Sequence, residues 1–188
     1  FPFRRCVDLG CGTGLMGPPL REMGVEWLGG VDLSDGMLRK ARELDRGYDR
    51  LLCGDLVEIF SPSGEGASAD GPPFDLVVAA DVFVYVGDLL PVLTAIAENL
   101  VHDGLAAFST ECLVPSGRAN EESGGDGFRL AQTGRYVHSG RYVRETAESC
   151  GLKLLACRSV VLRQNAGKPV HGHLHTMCLD PEKAAPGP

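Results

Sequence analysis

The chain has 188 residues and a formal net charge of −7, with 44% hydrophobic and 23% charged residues. This composition is typical of one globular domain that is long enough to bury its own core. Its 18 Lys and Arg residues form no dense run, which argues against a nucleic-acid substrate, because phosphates are bound by clustered positive charge. No stretch has the apolar length of a membrane span or the pattern of a signal peptide, so we expect a cytoplasmic protein without a membrane partner.

Seven cysteines are scattered along the chain without a C-x-x-C pair. An odd number, with several in predicted strands, favours reduced and buried thiols over a disulfide scaffold. The spacing also predicts no zinc site. The chain begins at Phe1 rather than Met and almost directly on its first strand, so we expect a processed, trimmed or excised piece of a longer protein.

Short apolar runs alternate with stretches whose apolar residues recur at helical intervals. The runs predict strands over residues 6–9, 26–32, 50–53, 74–80, 105–110, 153–162 and 171–179. The periodic stretches predict helices over 15–23, 35–44, 88–100 and 142–150. Strands joined through helices run parallel, whereas the short turn 164–169 forces the last strand to be antiparallel. We therefore predict an α/β fold with a doubly wound, Rossmann-like sheet of seven strands, mostly parallel with an antiparallel C-terminal strand.

Two stretches lack this periodicity. Residues 61–73 are small, polar and rich in Gly and Pro, which predicts a surface loop. Residues 111–139 are rich in glycine and poor in large apolar residues, and a loop of that length is usually functional or mobile. We expect one domain over residues 1–180 and a tail over 181–188.

Ligands of such sheets bind beyond the carboxyl ends of the strands. The glycines of residues 10–14 follow the first strand, and glycine lets a ligand approach the backbone without meeting a Cβ. Acidic residues follow or end the next strands: Asp32, Asp55, Asp81 and Glu111. Carboxylates suit a ligand with hydroxyls, an amine or a positive charge, and they would repel a pyrophosphate.

Four segments at these strand ends share their order with a known family. They read Val-Asp-Leu-Gly-Cys-Gly-Thr-Gly, Gly-Val-Asp-Leu-Ser, Cys-Gly-Asp-Leu and Phe-Asp-Leu-Val-Val-Ala-Ala-Asp. This series resembles the class I S-adenosylmethionine-dependent methyltransferases over essentially the whole chain. More narrowly, Ala-Asp-Val-Phe-Val-Tyr-Val-Gly-Asp-Leu and Gly-Arg-Tyr-Val-His-Ser resemble predicted small-molecule methyltransferases that often carry tetratricopeptide repeats. In the family, helices before the first strand help to form a lid, and we expect this N-terminal lid region to be missing.

The resemblance implies that the glycine loop binds the methionine part of S-adenosylmethionine. Gly10, Cys11, Gly12 and Gly14 are expected to lie against the cofactor. Asp8 is expected to brace the loop and its amine side. The reaction product would be S-adenosylhomocysteine.

The adenosine part is assigned by the same resemblance to the next two strand ends. Asp32 is expected to accept hydrogen bonds from both ribose hydroxyls, while Leu33 and Met37 pack near the ribose and the adenine.

By the same resemblance, the remaining two motifs are expected to bind the two ends of the cofactor. In Gly54-Asp55-Leu56, the resemblance implies that the carboxylate accepts from the adenine amine and that the Leu56 N–H donates to the ring. Ala80 and Asp81 are expected to face the methionine end and the methyl group.

Methyl transfer is a displacement at a sulfonium that is already activated, so the protein chiefly aligns the acceptor and excludes water. A base is needed only where the acceptor must lose a proton. The candidate catalytic residues are Asp81, Tyr85 and His138, with Glu111 and Tyr136 as further candidates. His138 has the most suitable unperturbed pKa, and its alternative is a histidine that is exposed or bonded to the backbone.

Two other functions stay open at this point. An NAD(P)-dependent oxidoreductase would have glycine at the third position of G-x-G-x-x-G, where Leu15 stands. A methyltransferase-like module that binds the cofactor for regulation, without activity, would keep the same motifs. The sequence does not identify the methyl acceptor, the acceptor atom or the oligomeric state.

His171, His173 and His175 share one face of the last predicted strand. Three imidazoles on one face could converge on a metal. We expect that strand to be central and covered by helices, with no carboxylate or cysteine at a suitable spacing, so no metal site is predicted.

Overall fold

The computed structural model describes residues 3–60, 73–112 and 127–180. Strands in these ranges are β1 Arg5–Leu9, β2 Trp27–Asp32, β3 Arg50–Cys53, β4 Phe74–Ala79, β5 Leu100–Glu111, β6 Phe128–Leu130, β7 Tyr136–His138, β8 Leu152–Asn165 and β9 Lys168–Leu179. The α-helices are α1 Gly17–Glu22, α2 Asp35–Glu43, α3 Leu56–Phe60, α4 Leu90–Asn99 and α5 Gly140–Ser149. A 3-10 turn covers Phe83–Tyr85.

The strands of the described residues form one seven-stranded sheet in the order β3-β2-β1-β4-β5-β9-β8 and one separate hairpin, β6-β7. β1 to β5 run parallel, and β9 runs antiparallel to both β5 and β8. The predicted fold is therefore confirmed. The strand order reverses between β1 and β4, which opens a crevice at the carboxyl ends of these two strands.

Helices cover both faces of the sheet, which is why its central strands are nearly continuous apolar runs. Four consecutive residues of β4, from Leu76 to Ala79, are buried. On one face, the Phe60 and Phe74 rings stack with their centroids 5.5 Å apart. The opposite face has a smaller core around Cys6, Leu28 and Val78. These two cores fix the strands whose ends carry the predicted site.

Several predicted boundaries differ from the structure by a few residues, and two of these differences have a local reason. The first helix begins at Gly17 rather than at residue 15, because residues 12–16 form turns and two prolines occupy its first turn. β5 begins at Leu100 rather than at residue 105, and Gly104 lies inside this strand. A Cβ at Gly104 would lie 2.9 Å from the Val101 carbonyl oxygen, so here glycine permits close backbone packing.

The hairpin β6-β7 was not predicted. Phe128 pairs with His138 within the stretch that the sequence presents as irregular. Strands of three residues are too short to show an alternating pattern. Much of the two predicted loops, at 61–72 and 113–126, and the predicted tail at 181–188 lie outside the described residues.

Candidate active site

The predicted site residues lie at one edge of the sheet, because the carboxyl ends of parallel strands meet there. The glycine loop follows β1, Asp32 ends β2, and Asp55 follows β3. Asp81 follows β4, and Glu111 ends β5. Five strand ends thus bring residues that are far apart in the sequence to one crevice.

The glycine loop adopts a backbone conformation that favours glycine at three positions. The φ angles of Gly10, Gly12 and Gly14 are 68°, 55° and 81°. The Gly10 N–H donates to the Val31 carbonyl over 2.7 Å and thereby ties the loop to β2. A Cβ at Gly12 would meet nothing within 4 Å, whereas one at Gly10 would collide with Val82. Gly12 therefore faces open space, where a ligand can approach the backbone.

Asp32 is held in place by backbone donors on both sides. Its Oδ2 accepts the Gly12 N–H over 2.8 Å, and its Oδ1 accepts the Ser34 N–H over 2.8 Å. A carboxylate oxygen has two lone pairs, so each oxygen can accept a further hydroxyl. The carboxylate is therefore oriented before any ligand binds.

Two large apolar side chains are exposed next to Asp32. Leu33 is 75% exposed and Met37 is 44% exposed, on the loop and helix that follow β2. Exposed apolar groups beside an oriented carboxylate fit a ligand with an apolar ring and a hydroxylated sugar. The contacts of Leu33 and Met37 with a ribose and an adenine stay a prediction.

Asp55 caps α3. Its Oδ1 accepts the Val57 N–H over 2.8 Å and the Glu58 N–H over 3.3 Å. The preceding Gly54 donates its N–H to the Asp32 carbonyl over 3.1 Å, and Leu56 is half-buried at the start of the helix. The other carboxylate oxygen of Asp55 keeps its acceptor capacity, so its contact with an adenine amine stays a prediction.

Asp8 and Cys11 point away from the open side of the glycine loop. Asp8 is 1% exposed and accepts a hydrogen bond of 2.6 Å from the Tyr48 hydroxyl. Burial raises the pKa of Asp8 to about 7. The Cys11 thiol is buried towards Gly30, where a Cβ would lie 2.9 Å from its Sγ. Asp8 is therefore placed to brace the loop, and Cys11 offers the crevice only its backbone.

Asp81 belongs to an ion cluster that the sequence did not predict. It has a left-handed backbone with φ 58°, and its N–H donates to the Ser109 hydroxyl over 2.8 Å. Its Oδ1 pairs with Nη1 of Arg163, and Nη2 of the same guanidinium pairs with Oε1 of Glu111. Burial raises the pKa of Asp81, and the nearby Arg163 opposes this rise.

Arg163 comes from β8, 82 positions after Asp81 and 52 after Glu111. It follows directly after the strand predicted at 153–162, and no local motif marks it. Its side chain is 18% exposed, so the guanidinium lies largely out of water between two carboxylates. A contact of this kind depends on the order of the strands in the sheet, and the local spacing of residues in the sequence does not predict that order.

Tyr85 lies at the end of the 3-10 turn and is 66% exposed. Arg135 hydrogen-bonds its side chain, and this bond raises the pKa of Arg135. Arg135 also interacts electrostatically with Glu111 and Asp81. The phenol is thus close to the ion cluster and accessible. Tyr136, by contrast, packs edge-on against Phe128 with ring centroids 6.0 Å apart.

His138 is buried and holds the hairpin β6-β7 in place. Its Nε2 lies 3.0 Å from the Gly87 carbonyl oxygen, and its ring stacks on Tyr142. Burial lowers the pKa of the imidazole. This placement favours the alternative of a backbone-bonded histidine over a catalytic base.

The three histidines of β9 lie in the interior strand position that was predicted. His175 is buried, with its Nε2 3.0 Å from the Thr110 hydroxyl. Among the described residues, no group of three or more His, Cys, Asp and Glu side chains could hold a metal ion. No helix within the described ranges is long and apolar enough to cross a membrane.

Comparison with known sequences finds a family and a set of relatives. The family model described as "Methyltransferase domain" matches residues 7–106. The ubiquinone biosynthesis O-methyltransferase of Ruegeria sp. is 32% identical over 106 residues, which cover 56% of this chain and 40% of that protein. The protein of the same name from Neisseria meningitidis is 26% identical over 114 residues, 57% of this chain and 44% of that protein. The chain thus spans about two fifths of the length of these curated relatives.

Solved structures with the same fold carry related descriptions. An S-adenosylmethionine-dependent methyltransferase from Mesorhizobium loti matches with a TM-score of 0.67 and 19% identity, over 94% of this chain and 91% of that one. The magnesium protoporphyrin IX methyltransferase of Synechocystis PCC 6803, solved with bound S-adenosylmethionine, has a TM-score of 0.64 and 16% identity, over 95% of this chain and 71% of that one. At these identities the likeness establishes a shared fold.

Proposed function

The chain belongs to the methyltransferase domain family, with S-adenosylmethionine as its cofactor, and on this premise we propose that it transfers the cofactor's methyl group to a small-molecule acceptor. The observation that carries the proposal is the arrangement of the glycine loop and Asp32. Gly12 opens onto free space, Asp32 is oriented by Gly12 and Ser34, and exposed apolar side chains lie beside it. These residues fit a ligand with a hydroxylated ribose and an aromatic base.

The cofactor side of the crevice comprises the glycine loop of residues 10–14, Asp8, Asp32 and Asp55. The loop backbone receives the methionine part, while Asp32 accepts the ribose hydroxyls with the lone pairs that its two backbone donors leave. S-adenosylmethionine bound there would supply a methyl group attached to a positively charged sulfur. After transfer of the methyl group, this sulfur is the neutral thioether of S-adenosylhomocysteine. The protein's task is therefore to hold both reactants in line and to exclude water.

The acceptor side comprises Asp81, Tyr85, Glu111 and Arg163. Asp81 is the candidate base, because burial raises its pKa while its carboxylate stays partly exposed at the crevice. Arg163 fixes the direction of this carboxylate. The exposed Tyr85 hydroxyl offers an acceptor molecule a hydrogen-bonding partner.

An oxygen acceptor is the finer part of the proposal. The relatives from Ruegeria sp. and Neisseria meningitidis are named as O-methyltransferases, and the family model matches residues 7–106, which include the cofactor motifs and Asp81. A hydroxyl must lose its proton on methylation, which is the case in which a carboxylate base such as Asp81 is useful.

Calorimetry with S-adenosylhomocysteine and with NAD tests the cofactor. We expect S-adenosylhomocysteine to bind in the micromolar range, about −8 kcal/mol, with no heat from NAD. Heat from NAD in place of S-adenosylhomocysteine would support the oxidoreductase alternative and remove the proposal.

A transfer screen with methyl-labelled S-adenosylmethionine and metabolite extracts tests the reaction. We expect label in a hydroxylated small molecule, released as a methyl ether. The screen should include both this chain and any longer parent protein. Tight cofactor binding without transfer to any fraction would instead favour the regulatory module.

A further inference from the structure

One side chain lies directly beneath the glycine loop. Tyr48, in the segment between α2 and β3, places its ring where three glycines lack a side chain. A Cβ at Gly14 or Gly17 would come within 2.9 Å or 2.8 Å of its Cε2, and a Cβ at Gly30 within 2.9 Å of its Cδ1. The ring thus fills the space that these glycines leave.

The hydroxyl of Tyr48 has its own contact. It donates a hydrogen bond of 2.6 Å to Oδ2 of Asp8, which is buried. A buried carboxylate that loses a partner costs far more than an exposed one. Asp8 lies two residues before the loop, and the loop in turn donates to Asp32 through Gly12. Tyr48 therefore supports the loop by ring packing and by a hydrogen bond at its base.

We propose that Tyr48 is a positioning residue for the methyl donor: its ring and its hydrogen bond to Asp8 hold the Gly10–Gly14 backbone in the conformation that binds S-adenosylmethionine. This inference rests on the proposed function. Tyr48 does not reach the crevice itself, since Asp8 and the loop lie between, so its effect is transmitted through them. None of the four sequence motifs contains this residue.

The charges around Asp8 make the inference testable by pH. The groups that face it are Tyr48, Asp32, Cys6 and Cys11, and around the two thiols lie Arg21, Arg42 and Asp75. Burial raises the pKa of both thiols, so they stay neutral. Burial raises the pKa of Asp8 to about 7, and the Tyr48 hydrogen bond works against this rise. Removing the hydroxyl must therefore move the titration of Asp8 to higher pH.

The first experiment compares Tyr48→Phe with Tyr142→Phe by calorimetry with S-adenosylhomocysteine. Each change removes one phenolic hydroxyl that donates to a carboxylate: Tyr48 donates to Asp8, and Tyr142 donates to Asp88 over 2.8 Å. We expect Tyr48→Phe to raise the Kd about tenfold. Tyr142→Phe should lower the melting temperature while leaving the Kd unchanged. Equal Kd values for wild type and Tyr48→Phe would overturn the inference.

The second experiment follows the Kd from about pH 5.5 to pH 8.5. The wild type should bind more weakly as the pH falls through about 7, because protonation of Asp8 removes a negative charge beneath the loop that favours the ammonium group of the ligand. Tyr48→Phe should shift this transition to higher pH, and Asp8→Asn should abolish it. A loss of affinity in Tyr48→Phe with an unmoved transition would show that the hydroxyl does not act through the ionisation of Asp8 and would overturn that part of the inference.

A double-mutant cycle separates action through Asp8 from independent effects. We expect Tyr48→Phe to add less than about twofold to the Kd of Asp8→Asn, because the ionised partner is already absent. Fully additive effects would contradict a shared route. Absence of binding by the wild type would overturn both this inference and the proposed function, whereas a normal wild type with an unaffected variant would overturn the inference alone.

Discussion

The cofactor side and the acceptor side of the crevice are built in different ways. On the cofactor side, Gly12 and Asp32 are 20 positions apart, and Asp8 and Tyr48 are 40 apart. On the acceptor side, Arg163 joins Asp81 and Glu111 across 82 and 52 positions. The first side is a compact unit of neighbouring strands and loops, while the second is assembled from distant parts of the chain. The donor site is therefore recognisable as motifs, and the acceptor site only as a structure.

The largest effect should come from the cofactor side. Asp32→Ala removes the acceptor of the ribose hydroxyls and also the partner of the Gly12 N–H. We expect no measurable S-adenosylhomocysteine binding by calorimetry, with an unchanged far-ultraviolet circular dichroism spectrum. Asp35→Ala is the control, because its exposed i,i+4 pair with Arg39 contributes little. Unchanged affinity in Asp32→Ala would remove Asp32 from the ribose role.

Stability should respond to pH in opposite directions on the two sides. Burial raises the pKa of Asp8 from 3.8 in the unfolded chain to about 7 in the folded protein. Its contribution to the free energy of unfolding is therefore lost as the pH rises between these two values, by up to about 4 kcal/mol. Burial lowers the pKa of His175, which lies under the acceptor side, from 6.5 in the unfolded chain to about 4 in the folded protein. Its contribution to the free energy of unfolding is therefore lost as the pH falls between these two values, by up to about 3 kcal/mol.

Urea unfolding between about pH 4 and 7 separates these two contributions. The wild type should change little, because the two slopes oppose each other. Asp8→Asn should become less stable as the pH falls, and His175→Gln should become less stable as the pH rises. If both variants keep the wild-type dependence of the free energy of unfolding on pH, then neither Asp8 nor His175 titrates with a pKa shifted by burial.

A smaller effect is expected from Arg163→Met on the acceptor side. The change leaves Glu111 and Asp81 without their guanidinium partner, which should lower the free energy of unfolding by about 3 kcal/mol. Methyl transfer should fall at least about tenfold, while S-adenosylhomocysteine binding changes little. Arg158→Met, an exposed position on the same strand, is the control. Loss of cofactor binding in Arg163→Met alone would contradict the division of the crevice into two sides.

The smallest effect should come from Asp55. Asn is as good a helix cap as Asp, so Asp55→Asn should keep the melting temperature. It should raise the Kd of S-adenosylhomocysteine by only about fivefold, since one charged acceptor of the adenine amine is lost. Asp55→Ala should add a loss of about 1 kcal/mol in stability through the missing cap of α3. An unchanged Kd in Asp55→Asn would leave Asp55 with the capping role only.

The sequence predicted the sheet because its strands follow from local patterns, and the same patterns place the candidate donor-site residues at the strand ends. The apolar runs at 6–9 and 74–80 correspond to β1 and β4, and the closing turn forces β9 to be antiparallel. The sequence did not predict the β6-β7 hairpin, whose strands are too short for a periodic signal. Arg163 and Tyr48 were also missed. Arg163 contacts a carboxylate that is distant in the sequence, and Tyr48 packs beneath the glycine loop, so no local pattern marks either residue.

His138 shows the limit of reasoning from residue type. Its unperturbed pKa was the most suitable among the candidate bases, but a suitable pKa carries no information on burial. The aromatic neighbours Phe128 and Tyr142 enclose the ring, and the Gly87 carbonyl occupies one nitrogen. The partly exposed Asp81, which has the less suitable ordinary pKa, is the better-placed group.

The position of β9 between β5 and β8 has a consequence for how the molecule is completed during synthesis. The contacts described on the cofactor side all lie within residues 8–58, so that half can form early as the chain leaves the ribosome. β8 emerges first but has no neighbour in the main sheet until β9, the next strand made, pairs with both it and β5. Only then is Arg163 delivered to Asp81 and Glu111. In a nascent chain, the ion cluster of Asp81, Glu111 and Arg163 should therefore be the last of these contacts to form.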